Sequence, residues 1–251
     1  MAKQAGIIKL KGTIDDLSFY KTVDGHLARA KGGIDKNKIL NDPAFQRTRE
    51  NNSEFGAAGK GGKLIRTSVR HLMQNAKDRR VVSRLTKELL AIIKTDPLNP
   101  RGKRTIQDGN LEVIEGFDFN SNAPLSTTLY VGYTTNFNRT SGEVTANLEA
   151  FSPTIRIAAP TGTTHFKLSL GAAEIDFVNM QFVFSAADTG VLPYTAPELP
   201  ANTLTAPLSP DSDLPVLQVI GVEFYQMVNG EYYSLKNGAN NALAIVSLDT
   251  V

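Results

Sequence analysis

Apolar positions near the start of the chain come in short clusters: Ile7, Ile8 and Leu10, then Leu17, Phe19 and Tyr20, then Leu27 and Ala28. Turn-prone stretches separate them, residues 12–16 and the pair Asp24-Gly25, which predicts three short strands with a hairpin at Asp-Gly. Asn41-Asp42-Pro43 then announces a helix, since Asp42 can cap free amides and Pro43 suits the first helical position. The segment that follows is polar. Phe45 and Phe55 are its large apolar residues, and Arg47, Arg49, Glu50, Asn51, Asn52 and Glu54 fill the rest. So thin an apolar stripe gains little from packing alone, and the helix is expected to find burial or charge partners elsewhere, between subunits if the chain assembles with itself.

The glycine-rich residues 56–62 are expected to break or loosen that helix. A more amphipathic one follows, with Ile65, Val69, Leu72, Met73 and Ala76 at helical spacing. Another runs from about Arg79, with Val82, Leu85, Leu89, Ile92 and Ile93 on one side, and Pro97 and Pro100 close the helical region. Beyond Arg104 the pattern changes to alternating or short apolar runs: residues 129–131, 144–148, 166–170, 177–184, 216–224 and 242–246. Turn residues separate many of them, among them residues 138–142, Asn229-Gly230 and Asn237-Gly238. Residues 193–215 hold six prolines and predict a long ordered loop or an extended edge cover instead of a central strand. The fold class expected is α+β: an N-terminal β-hairpin plus helical module over residues 1–104 and a C-terminal antiparallel β-sandwich of immunoglobulin-like architecture over residues 105–251.

Charge sharpens that division. The 251 residues carry a net charge of only +2. Residues 1–104 hold 23 basic and 10 acidic side chains, and residues 105–251 hold 4 and 15, so the near-neutral total is a cancellation of +13 against −11. Asymmetry of this size points to a polyanionic partner or to another copy of the same chain. Arg66 and Arg70 are one helical turn apart, as are Arg80 and Arg84, so each pair is expected to project from one face.

Candidate chemistry adds little. With no Cys there are no thiolate metal sites or redox motifs. His26, His71 and His165 are isolated, and no Gly-x-Ser-x-Gly elbow is present. Lys60-Gly61-Gly62-Lys63 invites a phosphate-loop reading, but Ala57 stands where the first glycine belongs and Leu64 where the hydroxyl belongs. A helix connector or close-packing glycine hinge is the alternative. Asn138-Arg139-Thr140 reads as a turn. No run approaches the ~20 apolar residues that span a bilayer, and Ile7-Ile8 falls short of a signal-peptide core.

The opening carries Gly12, Phe19-Tyr20-Lys21, Gly25, Arg29 and Lys31-Gly32-Gly33, followed by Pro43, Phe45, Arg47, Arg49, Asn51, Glu54-Phe55-Gly56 and Lys60. Over about the first 95 residues this resembles a protein family common in Bacteroidota genomes that has no assigned reaction. The resemblance implies a shared architecture and brings no catalytic residues.

The expectation is therefore a structural, non-enzymatic protein that assembles with itself, its basic N-terminal module docking on the acidic sandwich of a neighbour. The interface residues expected are Arg47, Arg49, Arg66, Arg70, Arg80, Arg84, Phe45 and Phe55. No cofactor and no metal are expected, and the place is the cytoplasm or a released particle. The alternatives are a sequence-independent nucleic-acid-binding or packaging protein and, by fold analogy, an adhesion or carbohydrate-binding sandwich.

Overall fold

A computed structural model describes residues 2–30 and 32–250. Lys31 of the Lys31-Gly32-Gly33 signature lies outside the described residues. The chain forms two compact units, Met1–Glu50 and Asn51–Val251.

The first unit is an antiparallel sheet of β1 (Ala2–Lys3), β2 (Gly12–Ile14), β3 (Leu17–Thr22) and β4 (Gly25–Ala30), in the order β1-β4-β3-β2. Asp24-Gly25 makes the β3–β4 turn, with Gly25 at φ 112°. The expected strand at Ile7, Ile8 and Leu10 is absent. Those residues form an exposed loop in which the Gln4 carboxamide accepts from the Leu10 N–H at 2.8 Å. The strand is instead Gly12–Ile14, because the chain reverses at Asp15, with φ 48°. Helix α1 (Lys36–Asn41) is capped by the Asp35 carboxylate. A 3-10 turn, Pro43–Phe45, is capped by Asp42 with proline in its first turn, as the sequence predicts.

Helix α2 (Gln46–Ser68) runs unbroken through residues 56–62. Gly61 and Gly62 are tolerated because packing fills the space they leave, which offsets their low helix propensity, whereas Gly56 and Gly59 face open space. A Cβ at Gly61 would sit 2.2 Å from the Ile106 side chain, and one at Gly62 would sit 3.4 Å from Leu89. Lys60-Gly61-Gly62-Lys63 is therefore a close-packing site inside a helix. Val69 leaves helical geometry, and α3 (Arg70–Met73) and α4 (Val81–Thr95) follow.

The rest of the second unit comprises α5 (Leu125–Thr128), β5 (Tyr133–Asn138), β6 (Glu143–Leu148), α6 (Pro153–Arg156), β7 (His165–Asp176), β8 (Gln181–Asp188), β9 (Leu192–Pro193), β10 (Asn202–Pro207), β11 (Val216–Val228), β12 (Glu231–Ser234) and β13 (Ala242–Asp249). They build a three-stranded sheet, β10-β6-β5, and a six-stranded sheet around β7 and β11. Of the six prolines, Pro193 ends the two-residue β9 on β7, Pro207 ends β10, an edge strand, and the other four lie in the connecting loops, so none sits in a central strand.

Alternation along β7 and β11 creates two cores. Phe166, Leu168, Leu170, Ile220, Val222 and Phe224 pack with Val144, Ala146, Leu148 and Leu204 of the smaller sheet, which is the sandwich. Ala173, Ile175, Leu217 and Val219 face the other way and pack with Ile65, Leu72, Leu85, Leu89, Ile92 and Ile93 of the helices. Sheet strands covered on both faces read as continuous apolar runs, and β11 is buried from Val216 to Phe224.

The class is α+β with a β-sandwich, but the chain does not divide at residue 104. The helices of residues 51–95 share a hydrophobic core with the sheet, so they form a third layer of the second unit. The charge change near Arg104 is thus a boundary between layers, and compactness divides the chain at Glu50 instead.

Candidate assembly surfaces

The helical layer carries 13 basic and 4 acidic residues between positions 51 and 104. Its stripe of apolar residues is spent on the sheet, so most cations turn to solvent, Lys60, Lys63, Arg70, Lys77, Arg79 and Arg80 among them. The predicted pairs are not held together. Arg66 is half-buried on α2 and its Nε donates to the Gly62 carbonyl at 2.9 Å, whereas Arg70 belongs to α3 and is exposed. Arg80 is the exposed residue that opens α4. Arg84 turns inward: it pairs with Asp78, donates to the Phe119 carbonyl at 3.3 Å and lies over the Phe117 ring at 4.9 Å.

The polar start of α2 finds charge and hydrogen-bond partners within the chain. Arg49 donates to the carbonyls of Ile39 and Asp42 at 2.7 and 2.9 Å. Exposed Arg47 pairs with Glu50 at 3.0 Å. Buried Glu54 is gripped by Arg104 through both oxygens, at 2.8 and 2.9 Å, and accepts from the Gly102 N–H at 2.8 Å. The Arg104 hydrogen bond, against an opposing desolvation, holds the Glu54 carboxyl below its usual range. Phe45 is half-buried in its 3-10 turn. Phe55 is exposed and lines a cleft of about 650 Å³ with Leu90, Lys94 and Arg101.

A second cleft, of about 670 Å³, gathers Lys77, Arg79 and Arg80 with Gln74, Asn75, Asn120 and Asn122. Its floor is a set of buried amides. Asn120 donates to the carbonyls of Asn241 and Ala239, and Asn241 donates to the Asn75 carbonyl at 2.9 Å. Gly238, at φ 76°, closes it where a Cβ would meet the Asn75 oxygen at 2.2 Å. Asp78 is the one acid in the lining. Burial pushes its carboxyl up, but hydrogen bonds from Ser121, Arg84 and the Arg80 N–H prevail and hold it at about 2. With that charge spent on Arg84, the rim of the cleft is cationic.

The first unit presents the opposite problem. Register places Ile14, Leu17, Phe19, Ala28 and Ala30 on one face of its sheet, and none of the unit's described residues is buried. Ile14 and Leu17 are about half-exposed, at 58% and 48%.

Among the described residues no group of three or more His, Asp or Glu side chains is arranged to hold a metal, and no described helix is long and apolar enough to cross a membrane. No protein-family model, curated protein or solved structure matches the chain. Sequence reasoning missed the Glu54–Arg104 pair, fifty residues apart, and the amide-floored cleft, since neither has a local spacing. The uncharged run of residues 177–187 was a readable signal for the bare strand described below.

Proposed function

We propose that this is a structural, self-assembling protein in which the N-terminal unit of one copy docks on the acidic β-rich face of the next, with no catalysis of its own. One observation carries the reading: a four-stranded sheet with an apolar face and no buried residue. A sheet needs a covering layer to be stable, and a neighbouring copy supplies it. Charge supports the choice of neighbour, since Met1–Glu50 carries ten basic and six acidic residues, while residues 105–251 expose Asp108, Glu112, Glu143, Asp211 and Asp213 among others. Contact between two different surfaces gives rings if the rotation closes and filaments or tubes if it does not. The resemblance to the Bacteroidota family fits a role without a reaction. Assembly in the cytoplasm, or release as a particle, suits it equally.

Electron microscopy and light scattering of nuclease-treated protein over a salt series test it. Particles that form without nucleic acid and shrink as salt rises are expected. A monomer that persists at low salt would sink the reading.

The cationic cleft at Lys77, Arg79 and Arg80 favours a second reading, binding of nucleic-acid backbone. Retention on DNA should then fall steeply with salt, and an Arg79→Glu, Arg80→Glu double variant should lose it. Retention indifferent to salt would remove this alternative.

A further inference from the structure

On one side of the six-stranded sheet, residues 115–119 seal β13. The N–H groups of Gly116 and Phe119 donate to the carbonyls of Ile245 and Leu243, each at 2.8 Å, and Ile245 donates to Phe117 at 3.0 Å. On the other side β8 pairs with β7 alone: β10 of the smaller sheet packs near it, but no described strand hydrogen-bonds to its outer edge. The Thr189 N–H bonds to the Leu168 carbonyl at 3.0 Å, which sets the phase of the ladder. With Leu170 opposite Ala187 and Asp176 opposite Gln181, alternation directs the main-chain groups of Gln181, Val183, Ser185 and Ala187 to β7. Those of Phe182, Phe184 and Ala186 point away from the sheet.

Bare edges are commonly guarded by charge, proline or a bulge. No charged residue and no proline occurs in residues 177–187, and Val178, Met180, Phe182 and Val183 are exposed. We infer that β8 seats a second copy of this chain, the two β8 strands pairing antiparallel about a two-fold axis at Phe184.

Opposed residues must share a sheet face, and this register obeys that rule. Phe182 faces Ala186 of the second copy, Val183 faces Ser185 and Gln181 faces Ala187, so the bulky half of each strand lies on the small half of the other. The outward N–H and C=O groups of Phe182, Phe184 and Ala186 are then all satisfied across the axis. Like charges do not meet, since Asp188, beside Lys167 at 3.7 Å, falls opposite Met180. The contact uses one patch twice, on a surface distinct from the head-to-tail docking, and stands without it.

The absence of Cys makes disulfide trapping clean. Full-length Val183→Cys and Ser185→Cys proteins are oxidised separately and mixed, in about 1 M NaCl where ionic contacts are screened. Opposed positions that do not hydrogen-bond lie ~4.5 Å apart between Cα atoms, within disulfide reach. A linked dimer from the mixture and not from either protein alone is expected. Self-linking of Ser185→Cys, or no linking in the mixture, overturns the proposal.

Sedimentation gives a second readout. Ala186→Pro removes an outward N–H and no β7 bond, and Val183→Lys adds a guarding charge. Each should weaken the dimer about tenfold or more while the circular dichroism of the monomer is kept. Unchanged association in both would overturn it. Large particles that vanish in salt while the dimer persists report on the head-to-tail contact alone.

Discussion

In Asn51–Val251 the large sheet is covered on both faces, by α2 and α4 on one side and by β5, β6 and β10 on the other, and β11 is buried over nine consecutive residues. In Met1–Glu50 a four-stranded sheet gathers its apolar residues on one face, and none of the unit's described residues is buried. Ordering a residue costs roughly 1–2 kcal/mol of backbone entropy. The second unit meets that cost with its own two cores. The first needs apolar contact from outside itself. On the proposed reading, stability is complete in one unit and deferred to assembly in the other.

The largest test of that contrast is in the helix–sheet core. Leu89→Ala empties a fully buried site and should cost about 4 kcal/mol in urea unfolding. Arg104→Ala should follow at about 3 kcal/mol, because it leaves the Glu54 carboxylate buried and unpaired. Acid comes next. Asp78 and Asp96 are each held at about 2 in the folded state. In Asp96 burial opposes this, and the N–H groups of Thr105, Leu98 and Asn99 with the Asn99 side chain overcome it. Their folded values lie below the unfolded one, so the unfolded chain binds more protons between about pH 4 and 2 and stability falls as pH falls through that window. A melting curve followed against pH should flatten there in Asp96→Asn. The smallest effect belongs to the first unit: Phe19→Ala should change the main unfolding transition by no more than about 0.5 kcal/mol and yet reduce particle size in light scattering.

Local signals were legible and long-range ones were not. Asp24-Gly25, Asp42-Pro43 and Asn229-Gly230 fix turns and caps through their own backbone preferences, and Asn229 and Gly230 do take φ of 52° and 86°. The stripe Leu85, Leu89, Ile92 and Ile93 is helical by spacing and fills the core where expected. The glycines of α2 misled, because a glycine that admits Ile106 and one that breaks a helix look alike in sequence. The charge change at Arg104 misled for a similar reason: apolar contact decides which elements pack together, and net charge does not report it. Of the expected interface residues, Arg49 and Arg84 are engaged inside the chain, Arg70 and Arg80 remain exposed, and Phe55 stands in an open cleft.

Amide hydrogen exchange at β3 and β4, read by mass spectrometry as a function of protein concentration, tests the central claim most directly. The account predicts fast exchange in dilute protein and slowing as copies accumulate, because the cover is another molecule. Protection equal at all concentrations, or absent at all of them, would contradict it.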